Sequence, residues 1–269
     1  MNGKFLAGLA VLSGFAALPA KADFVDFCAS PDAYYAGGTN NCAAAGGGPN
    51  IGFQADLLTG AYAEKLQFTT PTTFAATIVA DWDAFSLNTS GLNGLQTGLN
   101  FVYNLYAVIN ASGTTDGNVF QPTAASVTLY IDTDINADFT FGTDTSLAAI
   151  QNNLTFATNG DVALFSATYD FGIGNISASE QQFDIGFKSV VLTAAGQNFF
   201  VAPNPFYVKA FSDGDIDGGT LVPVAGFPGL VSASGQLSAN FNAVPEPISI
   251  ALVGMALVGA GFAGRRRRV

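Results

Sequence analysis

The chain has 269 residues, 49% of them hydrophobic and 11% charged, with a formal net charge of −11 and no histidine. Of the 20 acidic residues only Glu246 lies outside residues 23–243, and of the 9 basic ones only Lys65, Lys188 and Lys209 lie inside, which leaves that stretch at −16. Nothing there neutralises a row of phosphates, so the composition excludes nucleic acid as a partner. Without histidine, no Ser-His-Asp or Cys-His arrangement and no histidine-held metal can form.

Residues 1–22 read as a secretory signal peptide. Lys4 supplies the positive start, Phe5–Leu18 the apolar core, and Ala20-Lys21-Ala22 a small-residue cleavage site before Asp23. Residues 23–243 form a stretch long enough to bury a sizeable core. Cys28 and Cys42 are the 2 cysteines of the chain. Export sends both to an oxidising compartment, so they are expected to form a structural disulfide.

Period-two alternation dominates the rest of that stretch. Thr73–Trp82 places Phe74, Ala76, Ile78, Ala80 and Trp82 on one side; Leu99–Asn110 and Val127–Asp132 alternate likewise. Val162–Phe171, Phe183–Leu192, Phe206–Phe211 and Leu237–Phe241 are further strands. Turn residues separate them at Asn88–Gly94, Ser112–Asn118, Asn159–Asp161, Gly172–Asn175 and Asp213–Gly219. Ser146–Asn153 is the one internal segment that reads as helical, and Gly218–Gly235 reads as a loop ahead of a last strand, Gln236–Asn242. The expected fold is all-β, an antiparallel β-sandwich or jelly roll spanning 23–243. The 24 phenylalanines are its expected core.

Few residues carry chemistry. Asp81 and Asp83 flank Trp82, a pattern that could serve a sugar site, although alternate acids near a strand end are ordinary solvent-facing positions. Tyr34, Tyr35 and Tyr106 are the candidates for an outward aromatic platform. Two acidic clusters place oxygen ligands at alternate positions: Asp132, Asp134, Asn136 and Asp138, and then Asp213, Asp215 and Asp217 followed by Gly218. Such spacing suits calcium, because alternate side chains on a curved segment converge on one point. The twelfth positions are Thr143 and Val224 rather than glutamate, which excludes an EF-hand and leaves open a looser calcium site between strands, beside the plainer reading of solvated acidic turns that cap hairpins. Asp and Asn also favour turns on their own account. Asn-x-Ser/Thr triplets at Asn88, Asn110, Asn153 and Asn175 are no more than chance in a chain of this composition.

The chain closes on a three-part signal, residues 244–269. Val244-Pro245-Glu246-Pro247 is an extended, exposed peptide, since two X-Pro steps forbid regular structure. Ile248–Gly264 is uncharged and spans about 25 Å as a helix, just short of a ~30 Å hydrocarbon core. Arg265, Arg266, Arg267 and Arg268 hold the end on the cytoplasmic side. This ordered ending resembles the PEP-CTERM sorting signal of Gram-negative bacteria. The resemblance implies transient anchoring in the inner membrane, removal of the tail by an exosortase, and release to the cell surface or extracellular matrix; a permanent anchor is the plainer alternative.

Tyr103–Ala107, Leu129–Asp134 and Phe199–Phe211 also resemble segments of the floc-associated PEP-CTERM proteins. That resemblance implies a non-catalytic protein that associates with exopolysaccharide and supports floc or biofilm formation. The competing expectations are a secreted carbohydrate-active enzyme using aspartates and a structural surface-layer component. The first needs two carboxylates roughly 5 to 9.5 Å apart in a cleft.

Overall fold

A computed structural model of the protein describes residues 26–43, 50–135, 161–177, 180–215, 221–223 and 228–242. The signal peptide, the Ser146–Asn153 segment and the sorting signal therefore lie outside the described residues. Three short strands come first, β1 (Phe27–Ala29), β2 (Cys42–Ala43) and β3 (Asn50–Ala55). The long strands β4 (Leu57–Thr70) and β5 (Thr73–Leu87) come next, then β6 (Ser90–Leu92), helix α1 (Gly94–Thr97), β7 (Asn104–Thr115) and β8 (Val119–Asp132). The second half holds β9 (Val162–Ser177), β10 (Glu180–Leu192), helix α2 (Ala194–Phe199), β11 (Phe200–Ala202), β12 (Lys209–Asp215), β13 (Val222–Pro223) and β14 (Leu230–Asn242).

The long strands run as an antiparallel meander, β4-β5-β7-β8-β9-β10-β12-β14, and β14 then pairs back onto β4. Leu237 sits between both neighbours at the seam, opposite Gly214 of β12 on one side and Gly60 of β4 on the other. Each strand is long and puts one apolar face inward, so closing the ring buries that face and leaves no unpaired long edge. The all-β antiparallel expectation holds. The two facing sheets of a sandwich are here joined at both sides into a closed, eight-stranded barrel.

Leu105, Ala107 and Ile109 of β7 and Val127, Leu129 and Ile131 of β8 are buried in the core, as their alternation requires. The strands outrun the sequence expectations. The glycine-rich Gly172–Asn175 continues β9, pairing with β10, and Ser112–Thr115 continues β7. Leu99–Tyr103 falls short of β7 and forms a tight connection after α1.

One end of the barrel is plugged. A four-stranded sheet in the order β11-β1-β3-β2 carries Phe27, Phe53 and Phe200 against it. Phe27 meets Phe241 of β14 edge-on at 5.3 Å, and Phe53 meets Phe85 of β5 at 4.8 Å. Edge-to-face pairs of this kind contribute about 0.5–1.5 kcal/mol each beyond area burial. Cys28 and Cys42 form the expected disulfide, with Cα atoms 6.0 Å apart, and so tie the plug's strands together. The helix α1 carries a full capping box between Asn93 and Gln96, and α2 is capped by the Thr193 hydroxyl. Both helices are too short to show in the apolar periodicity.

The opposite end is formed by the β4–β5, β7–β8 and β9–β10 hairpins. Leu66, Phe74, Ala76, Phe120 and Val231 make a second, smaller core cluster there.

Candidate functional site

Three carboxylates gather at the plugged end. Asp132 closes β8, Asp134 lies two residues beyond it, and Asp161 enters β9; one oxygen from each lies within 4.8 Å of the others. Asp132 is fully buried, and its Oδ1 accepts hydrogen bonds from the backbone N–H of Asp134 at 3.0 Å and of Ile135 at 2.9 Å. These bonds curl the chain tightly enough to put Ile135 in the left-handed region, at φ 52°. Tyr106, stacked on Tyr130 at 5.0 Å, donates its hydroxyl to Asp161 Oδ2 at 3.0 Å.

Burial raises the Asp161 pKa, the Tyr106 bond opposes this, and the charges of Asp132 and Asp134 raise it further. A divalent cation held by oxygen ligands would relieve that repulsion. Of the sequence-derived cluster, Asp132 and Asp134 are brought together here, while Asn136 and Asp138 lie outside the described residues. Asp161 was legible only as part of a turn, since its partners are distant in sequence.

The second cluster is arranged differently. Asp213 accepts from the Ser238 hydroxyl at 2.6 Å and Asp215 Oδ1 from the Gln236 backbone N–H at 2.8 Å, so both carboxylates are fastened to β14. Asp217 lies outside the described residues.

The aromatic candidates point elsewhere than a sugar platform requires. Trp82 is buried within the barrel, while Asp81 and Asp83 alternate onto the opposite face. The Asp81 pKa is raised by burial and by Asp83. Tyr106 lies on the face opposite Leu105, yet it is fully buried, because Tyr130 and Asp161 cover it. Tyr34 packs on Tyr103 at 6.2 Å, and Tyr35 donates to the Leu95 carbonyl at 3.1 Å; both are half-buried.

An open groove of about 640 Å³ runs between the end of β10, α2 and the segment before β12. Val191, Gln197, Asn198, Asn204, Pro205 and Val208 line it, a mixture of amides and apolar groups without a charge. Nearby, Asp170 takes both Lys209 at 2.9 Å and Lys188 at 3.5 Å, which lowers its pKa and occupies two of the domain's lysines.

A third feature lies inside the barrel. Pro122, Ile173, Gly174 and Ile185, with Leu66, Phe74, Ala76 and Phe120 of the smaller core cluster, wall a cavity that Glu64 of β4 also lines. Sequence reasoning passed over Glu64, because a single acid in an unpatterned stretch carries no signal.

Among the described residues no helix is long and apolar enough to cross a membrane. Comparison with curated proteins and with solved structures yields no match. Residues 243–268 match the family model of the PEP-CTERM protein-sorting motif, beginning at the residue next after β14. That motif implies export, anchoring before cleavage, and processing by an exosortase: the chain carries a PEP-CTERM protein-sorting motif at residues 243–268.

Proposed function

We propose that the barrel is a non-catalytic surface protein that associates with exopolysaccharide outside a Gram-negative cell and supports floc or biofilm formation. The observation that carries this reading is the sorting motif at 243–268, joined directly to the closing strand of the domain. The uncharged groove of amides and apolar side chains beside α2 supports it. Amides donate to and accept from sugar hydroxyls, and the absence of charge suits a neutral stretch of glycan.

Calcium is the second part of the proposal. A domain of charge −16 is repelled by an acidic polysaccharide, and a divalent ion at Asp132, Asp134 and Asp161 would offset that locally. Asp213, Asp215 and Asp217 are the second set of donors.

Two experiments test the two halves of this reading. Replacing Pro245-Glu246-Pro247 by alanines should leave the full-length chain in the inner membrane; release at the wild-type rate would overturn the sorting part. Deleting the gene should abolish aggregation while polysaccharide is still made. Unchanged aggregation would overturn the matrix part and leave sorting untouched.

A further inference from the structure

Among the described residues, the barrel interior contains one carboxylate that no neighbour explains. Glu64 lies on the inward face of β4, between Tyr62 and Leu66, with Ile78 of β5 and Ala233 of β14 opposite it. It forms no hydrogen bond or ion pair with any described residue. Its cavity, of about 70 Å³, is walled by Leu66, Phe74, Ile78, Phe120 and Phe183 and opens to solvent on one side. The plug fills the other end of the barrel, so this space is a blind, largely apolar cup, with Glu64 in its wall and the solvent-exposed Asp184 beside it.

The other titratable group at the cavity is Asp184 of β10, which is itself solvent-exposed. Lys65 alternates to the other face of β4, and the hydroxyl of Tyr62 is turned to the Asp215 carbonyl at 2.8 Å. Among the described residues, no cation therefore faces Glu64 from its own strand or from β5, β10 or β14.

We infer that this cup is a binding site for a short primary alkylammonium, its charged head on the Glu64 carboxylate and its alkyl chain against Leu66, Phe74, Phe120 and Phe183. An uncompensated carboxylate in apolar walls is complementary to a cation with an apolar tail. The volume sets the size: a cavity of ~150 Å³ takes benzene, so about half that space takes about three or four heavy atoms, with longer chains emerging at the open side.

Protonation couples to binding. Burial pushes the Glu64 pKa up to about 7, so the acid is ionised above that value and neutral well below it. An alkylammonium, like a lysine side chain, stays charged across this range. Affinity for the cation should therefore be about thirtyfold weaker at about pH 5.5 than at about pH 8.

The test is calorimetric titration of the intact protein, purified in lipid nanodiscs, with n-propylammonium and with n-propanol as the uncharged counterpart. The expected result is saturable binding of the amine at about millimolar Kd, as so few atoms allow, with the alcohol at least about tenfold weaker. Glu64→Gln should bring the amine down to the alcohol's affinity. Equal binding of amine and alcohol would overturn the inference in favour of a merely apolar cavity. Absence of saturation by either would overturn it outright, as would displacement of the amine from wild type by calcium. The comparison of the two ligands needs only wild-type protein, so it stands even where the variant folds poorly.

Discussion

Replacing Glu64 by glutamine should make the protein more stable, and only above the pH at which the free acid ionises. An acid whose pKa is raised on folding contributes stability below its unfolded pKa and loses it as pH rises through the folded value. For Glu64 that window runs from 4.5 to about 7. At about 1.36 kcal/mol per pKa unit, the wild type forfeits about 3 kcal/mol across the window relative to an isostere that never ionises. Glutamine and the protonated acid have the same shape and similar polarity, so near pH 4.5 the two proteins should melt together. Near pH 8 the variant should melt about 6–12 °C higher, using about 2–4 °C per kcal/mol for a domain of this size. Differential scanning calorimetry of both proteins at intervals through the window measures the gap directly. Because every other titrating group is shared, the difference between the two curves isolates Glu64. A gap that stays constant with pH would refute the reasoning, since it would mean that Glu64 ionises as easily folded as unfolded.

Other expectations are narrower. Replacing Cys28 and Cys42 by serine frees a loop of sequence separation 14 and should cost on the order of 3 kcal/mol by chemical denaturation while leaving the far-ultraviolet circular dichroism of the barrel intact. Asn88 and Thr89 turn the β5–β6 hairpin with φ of 51° and 67°, a conformation that a β-branched residue adopts only at a cost, so Thr89→Gly should raise stability by about 1 kcal/mol. Gly196→Ala drives a methyl into the Leu164 carbonyl oxygen and must push α2 off β9, with an expected loss of roughly 1–3 kcal/mol in the same denaturation assay. Millimolar calcium should raise the melting temperature of the wild type, and Asp134→Asn with Asp161→Asn should remove that rise.

The strands legible in the sequence are those whose inward positions are apolar without a break, such as β5, β7 and β8. β4 escaped notice because Gly60 and Glu64 interrupt its inward series of Leu58, Tyr62, Leu66 and Phe68. Of these two interruptions, Glu64 is also the residue that gives the cavity its chemistry. Gly172–Asn175 reads as a turn by composition, yet Gly174 lies in the wall, where an added methyl would meet the side chains of Phe120 and Phe183 at 3.4 and 3.8 Å. There, bulk on the neighbouring strands replaces bulk on β9.

Ring closure was not legible at all, because it depends on β14 meeting β4 across most of the domain's sequence. The same distance hid Asp161 from Asp132 and Asp134. The disulfide, by contrast, needed only two cysteines and an oxidising compartment, and the sorting motif only local order.

The position of β14 has a consequence for the timing of export. The strand is a clasp: it pairs with β4 on one side and with β12 on the other, and the residue after Asn242 already belongs to the sorting motif. While residues 230–242 occupy a translocation channel, the ring stays open and its apolar lining exposed. The domain thus completes itself only when the peptide to be cut has reached the far side, and the cutting enzyme meets a finished barrel. Trimming beyond the motif would be of another kind. Phe241 touches Phe27, Phe165, Phe200 and Phe206, so losing it would unseat the plug and the clasp together.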